Sequence, residues 1–238
     1  MISETTFANR YTSFWRELLP NSDRAIRRIN LSVERFCMPV RELSAADRRG
    51  YINEVAFAVF SSSFSSETNS FEKLTKIQMS EIYKNVRKQL LKYKGIENKQ
   101  VVRPRASEAP EVTALISNLK QIKEIKQFNG KMITAPNFDG CGFIDGCRGD
   151  LLIGKSIIEV KAGDRNFRST DFRQLLVYLA LNYLSKQYVL DEVGLVNPRL
   201  GTFVVMPVDN MCMEMGGRSG AELLSDIVYY ASSGDISV

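Results

Sequence analysis

Three observations predict an α/β fold. Apolar residues recur at three- and four-residue steps through most of the first hundred positions, the spacing of amphipathic helices. From Lys131 the apolar period shortens to that of strands, in several short segments parted by turn-forming residues. A strongly helical run, 169–185, sits inside that strand-rich block. Together these give a helical N-terminal region over 1–105 and an α/β core over 106–238 that ends in a helix.

In chain order, Phe7, Tyr11, Phe14, Trp15 and Leu18 mark one helix, which Pro20-Asn21-Ser22 closes while capping the next. Ile26, Ile29, Val33 and Phe36 carry that second helix towards Pro39. A third opens at Ser44, with Asp47 three residues on, and runs through the apolar stretch 51–60. The serine-rich segment 61–70 reads as a loop, and a long basic helix follows. Polar residues and two prolines break the pattern at about 94–110, and one more helix covers 111–128. Strands are expected at 131–135, 141–145, 149–153, 156–161, 187–196 and 201–208, and a short acidic helix at 219–231.

The composition excludes several chemistries. The 238 residues include no histidine, so Ser-His-Asp and Cys-His catalysis and histidine-ligated zinc are all closed to this chain. Cys37, Cys141, Cys147 and Cys212 lack the close pairing of a zinc or thioredoxin-like site, which points to free thiols in a reducing, cytoplasmic setting. No apolar run approaches the roughly 20 residues that a membrane-spanning helix needs, so no membrane role is expected. The net charge is +5, and between Lys73 and Arg105 ten basic residues face two acids, a local excess of +8. Such a stretch is either a solvated helix face or a contact for a polyanion.

The chemistry concentrates in 149–163. Gly154-Lys155 suits a two-residue type II′ turn, which pairs Ile153 with Ser156. That register sets Leu152 opposite Ile157, Leu151 opposite Ile158, and Asp150 opposite Glu159. Two carboxylates so placed repel unless a positive charge lies with them. Period-two alternation puts Glu159 and Lys161 on one face of their strand, and Ile158 and Val160 on the other. Hard oxygen ligands without imidazole favour Mg²⁺ or Mn²⁺, which can polarise a phosphodiester and lower the pKa of a bound water. A neighbouring ammonium can orient that water or stabilise developing negative charge.

Asp150 followed after eight residues by Glu159-Val160-Lys161, in a strand-turn-strand setting, resembles the active-site signature of the PD-(D/E)XK nuclease superfamily. The position before the aspartate is Gly149 instead of proline. The segment 169–185 adds Gln174 and Tyr178, four residues apart and hence on one helical face, which Asp171 shares. A Gln-x-x-x-Tyr pair after the catalytic strand resembles the RecB-like branch of the superfamily. The resemblance spans about 140–185 and implies a restriction endonuclease-like core, a mixed β-sheet flanked by helices. It further implies Asp150, Glu159 and the Val160 carbonyl as ligands of Mg²⁺ or Mn²⁺, Lys161 as the catalytic lysine, and Gln174 and Tyr178 as supports that contact DNA.

The expected activity is metal-dependent hydrolysis of phosphodiester bonds in DNA, serving restriction, phage defence, or recombination and repair. The alternative is a non-catalytic nucleic-acid-binding or assembly subunit on the same fold. DNA is the expected partner in either case, with a helicase, an ATPase or another subunit, or a second copy of the chain, as further candidates. Arg148, Arg165, Arg168 and Arg173 flank the signature and suit phosphate contacts. Glu54, within the apolar run, is either an additional metal ligand or a partly exposed helix residue.

Overall fold

The computed structural model describes residues 1–65, 67–94 and 103–233; Lys99 and its neighbours in the basic stretch lie outside the described residues. The chain opens with helices α1 (Glu4–Arg10), α2 (Thr12–Leu18) and α3 (Ser22–Leu31), followed by strand β1 (Glu34–Arg35). Helix α4 (Ala46–Ser63), a small hairpin of β2 (Phe64–Ser65) and β3 (Ser70–Phe71), α5 (Lys76–Lys94) and α6 (Ala109–Gln121) complete the predominantly helical part. Strands β4 (Met132–Thr134), β5 (Asn137–Phe138), β6 (Cys147–Arg148), β7 (Leu151–Ile153) and β8 (Ser156–Val160) come next. Helix α7 (Ser169–Ser185), strands β9 (Glu192–Asn197) and β10 (Thr202–Pro207), and helices α8 (Val208–Gly216) and α9 (Gly220–Ser233) end the fold.

Six strands form one mixed sheet in the order β1-β10-β9-β8-β7-β4. Only β8 and β9 run parallel, joined by α7 as the crossover; the other pairs are antiparallel. Alternation along the strands sorts side chains between two helical layers. Ile157, Val193, Leu195 and Val204 join a core with α1, α2, α3, α7, α8 and α9. Leu151, Ile153, Ile158, Val196 and Phe203 join a second core with α4, α5 and α6. Residues on both sides of position 105 share both cores, and the edge strand β1 comes from the N-terminal region.

The hairpin register is the one the turn chemistry requires: Leu151 faces Ile158, Leu152 faces Ile157, and Ile153 faces Ser156. Gly154 has φ +58 and Lys155 is not among the positive-φ residues, the pattern of a type II′ turn rather than I′. A Cβ on Gly154 would overlap the carbonyl oxygen of Asn129, so glycine is needed there twice over.

Several elements differ from expectation. The first helix is two, parted at Tyr11, and the next stops at Leu31, because Glu34 and Arg35 pair with Phe203 and Thr202 instead of continuing a helix. The serine-rich loop extends α4 to Ser63 and then makes the β2–β3 hairpin, where Phe64 packs edge-on to Phe71 at 5.3 Å. The strand expected at 141–145 is a tight turn: Gly142 takes φ +55, and Cys141 and Ile144 bridge across it. Helix α8 was not expected at all. No helix among the described residues is long and apolar enough to cross a membrane.

Candidate active site

Asp150 sits just beyond the last main-chain pair of β7 and β8. Its carboxylate continues the ladder, with Oδ2 accepting the Val160 N–H at 2.8 Å while its own carbonyl accepts from Ala135 N at 2.9 Å. Glu159, on β8, is 4% exposed and faces α7. The residues expected to act together meet in one closed ring of hydrogen bonds. Lys161 Nζ donates to Glu159 Oε1 at 2.7 Å and to Gln174 Oε1 at 2.8 Å. Gln174 Nε2 donates to the Tyr178 hydroxyl at 2.8 Å, and that hydroxyl donates to Glu159 Oε2 at 3.0 Å.

Electrostatics follow from this placement. Desolvation and the neighbouring charge of Glu159 push the Asp150 carboxyl well above the usual carboxylate range. Burial works to lower the Lys161 pKa, but Glu159, Asp150 and Asp171 outweigh it and hold the ammonium above its ordinary value. Burial also pushes the Tyr178 phenol far up, so it serves as a neutral hydrogen-bond donor. The repulsion foreseen between the two carboxylates is offset on Glu159 by Lys161, and on Asp150 it shows as a raised pKa.

A cavity of about 320 Å³ opens onto this ring, lined by Asp150, Glu159, Val160 and Lys161 from the sheet end and by Gly50, Asn53, Glu54 and Phe57 from α4. The α4 residues are spaced i, i+3, i+4, i+7, a single helical face. Glu54 is exposed at this cavity and adds its negative field to that on Asp150. Among the described residues no three Asp, Glu or Cys side chains form a ready-made metal-binding group. The donors that line the cavity nonetheless suit a hard divalent cation: they are oxygen atoms of Asp150, Glu159 and Glu54 and the main chain of Val160, with no thiol.

The four arginines divide. Arg165 lines the cavity but is clamped on Asp171 by bonds of 2.8 and 2.9 Å. Arg168 is exposed at the start of α7, where its N–H donates to Asp171 at 2.8 Å, so the Asp171 carboxylate caps the first turn of the helix. Arg148 pairs with Asn137 at 3.1 Å outside the cavity. Arg173 is turned away, reaching the Ala8 carbonyl at 3.5 Å and lying 5.9 Å from the Trp15 ring. It does not flank the site as expected, because α1 and α2 cover that face of α7.

Sequence reasoning missed the support beneath the cavity. Arg199, 2% exposed, pairs with the buried Glu111 at 2.7 Å, donates to Asn53 Oδ1 at 2.6 Å and reaches the Ala162 carbonyl at 3.2 Å. Asn53 Nδ2 donates to the same carbonyl at 2.6 Å, and Asn197 Nδ2 to that of Gly163 at 2.8 Å. The loop after Lys161 is therefore bolted to α4, and Asn30 of α3 holds its far end through both main-chain groups of Phe167. The four cysteines are free, and none lines the cavity. No family model matches the chain, and no curated protein sequence matches it.

Proposed function

We propose that the chain is a metal-dependent nuclease that hydrolyses phosphodiester bonds in DNA, with a restriction endonuclease-like core of the PD-(D/E)XK type and the Gln-x-x-x-Tyr pair of the RecB-like branch. The observation that carries this reading is the closed ring of Glu159, Lys161, Gln174 and Tyr178 beside Asp150. A plain surface strand has no need to bury a glutamate, satisfy both its oxygens and join it to a lysine through a glutamine and a tyrosine. Arrangements of this kind are costly to build and are characteristic of catalytic sites.

Asp150, Glu159 and the Val160 carbonyl would hold Mg²⁺ or Mn²⁺, which when bound polarises a phosphoryl oxygen and acidifies water. The chain's own groups do the rest. Tyr178 and Gln174 fix the rotamers of Glu159 and Lys161. Lys161 spends two of its three N–H donors on Glu159 and Gln174, and the third is available to a water or to charge developing on phosphorus. Glu159, Asp150 and Asp171 hold its pKa above the ordinary value, which suits it to the role of a cation beside the phosphate. Hydrolysis joins a water oxygen to phosphorus as one P–O ester bond breaks, and the departing oxygen takes a proton.

The test is to incubate linear, nicked and supercoiled DNA, single strands and RNA with the protein in Mg²⁺ or Mn²⁺, beside Asp150→Ala, Lys161→Ala and an EDTA control. Cleavage by the wild type alone is expected, with each substitution costing at least about 100-fold. Cleavage that survives in both variants refutes the site. Binding without cleavage of any substrate favours the non-catalytic subunit.

A further inference from the structure

We infer that Gly50 is a specificity-determining position: the side chain it lacks is the opening through which a DNA strand's sugar-phosphate backbone reaches the carboxylate pair. The inference rests on the nuclease reading above and extends it to the wall opposite the catalytic strand. Gly50 lies in the body of α4, which runs from Ala46 to Ser63. Glycine is the least favourable residue in a helix interior after proline, so its presence there calls for a cause. The backbone supplies none, because Gly50 is not among the glycines with positive φ, and any L residue can adopt a helical conformation.

Its location supplies one. Gly50 lines the cavity that holds Asp150, Glu159 and Lys161, on the same helical face as Asn53, Glu54 and Phe57. A side chain at position 50 would share the direction of those three and enter the cavity from the α4 side. The same face is fixed relative to the catalytic strand, since Asn53 is bonded to Arg199 and to the Ala162 carbonyl. The wall is thus braced against the strand, and a side chain at position 50 would take up part of the space that this cavity offers a ligand.

The experiment compares wild type, Gly50→Ala, Gly50→Leu and, as a control on the same helix outside the cavity, Ala46→Leu. Thermal melts, Mn²⁺ titration by calorimetry, DNA affinity by fluorescence anisotropy and cleavage rates are measured on each. Gly50→Ala should melt about 2–4 °C higher, as removal of a helix-interior glycine requires, and yet cleave more slowly than wild type. Gly50→Leu should bind Mn²⁺ as wild type does and lose roughly 100-fold in kcat/KM. Ala46→Leu should cleave normally. A folded Gly50→Leu that cleaves within about threefold of wild type overturns the inference and leaves the nuclease reading standing; if that variant does not fold, an unimpaired Gly50→Ala overturns it instead. A wild type that neither binds nor cleaves DNA removes the nuclease reading, and the inference with it.

Discussion

Replacing Arg199 with methionine tests the support under the site. The change deletes hydrogen bonds to Glu111 at 2.7 Å, Asn53 at 2.6 Å and the Ala162 carbonyl at 3.2 Å, all from a side chain 2% exposed. Breaking a buried ion pair by removing one partner costs about 3–5 kcal/mol, because the other charge stays behind. Here the lower end applies, since Glu111 keeps three donors: Leu43 N at 2.8 Å, Ser44 N at 2.6 Å and the Ser44 hydroxyl at 3.0 Å. A loss of about 3 kcal/mol at pH 7 corresponds to a Tm lower by roughly 6–12 °C for a chain of this size. The pH dependence has a definite sign. Burial works to raise the Glu111 pKa, but the bonds from Leu43, Arg199 and Ser44 win and hold it below the ordinary range. Its contribution is therefore complete above the unfolded value of about 4.3 and is lost as pH falls through the folded one. Without Arg199 the folded pKa rises, Glu111 protonates earlier, and the penalty of the substitution shrinks on acidification. Urea melts of wild type, Arg199→Met, Glu111→Gln and the double variant at pH 7 and pH 4 read both quantities. A penalty below about 1 kcal/mol at pH 7, or one that grows at pH 4, refutes the reasoning.

Tyr178→Phe removes a buried donor to Glu159 Oε2 and an acceptor for Gln174. It should cost about 2 kcal/mol in denaturant melts, as a hydrogen bond to a charged group does, and should be less than additive with Gln174→Ala; a cost under about 0.5 kcal/mol, or simple additivity, argues against a working ring. The buried pair of Arg48 and Glu108, joined at 2.5 and 2.7 Å, holds the Glu108 carboxyl below its usual range. Its stabilisation is present above about pH 4.3 and lost as pH falls through the lower folded value, so Arg48→Met should flatten the acid limb of the stability profile measured by urea melts. Gly154→Ala combines a left-handed φ with a clash on the Asn129 carbonyl and should destabilise by more than about 1–2 kcal/mol in thermal melts; an unchanged Tm would mean the hairpin turn relaxes freely.

Local chemistry made the hairpin of Asp150 and Glu159 legible. Gly154-Lys155 dictated the turn, the turn dictated the register, and the register carried Asp150 to the level of Glu159 without any knowledge of the rest of the fold. The same holds for Gln174 and Tyr178, whose four-residue spacing needs only a helix. The misreadings share the opposite property. Val33 and Phe36 keep a helical spacing, yet the chain turns extended there because β10 offers an edge to pair with. The apolar segment 141–145 looks like a strand, but it folds as a turn: Gly140 packs against the backbone of Ile144–Gly146 within that turn, and Gly142 takes a left-handed φ against the Ala231 carbonyl, each too close for a Cβ.

The support of the site was illegible for a related reason. Arg199 and Asn53 lie 146 residues apart, and Glu111 and Ala162 belong to different elements again. No periodicity announces that a charged residue after a proline will be buried, because what buries it is the packing of α4 and α6 over the end of the sheet. Composition drew a boundary near 105, but along the chain the helical part runs on through α6 to Gln121, and the next strand begins only at Met132. In space the helical part supplies one wall of the candidate cavity through Gly50, Asn53, Glu54 and Phe57, and anchors its loop through Asn30. The carboxylates and lysine can be read from one hairpin, and the glutamine and tyrosine from one helix. What they can admit is decided by a helix that precedes them by about a hundred residues, and at Gly50 by a side chain that is not there.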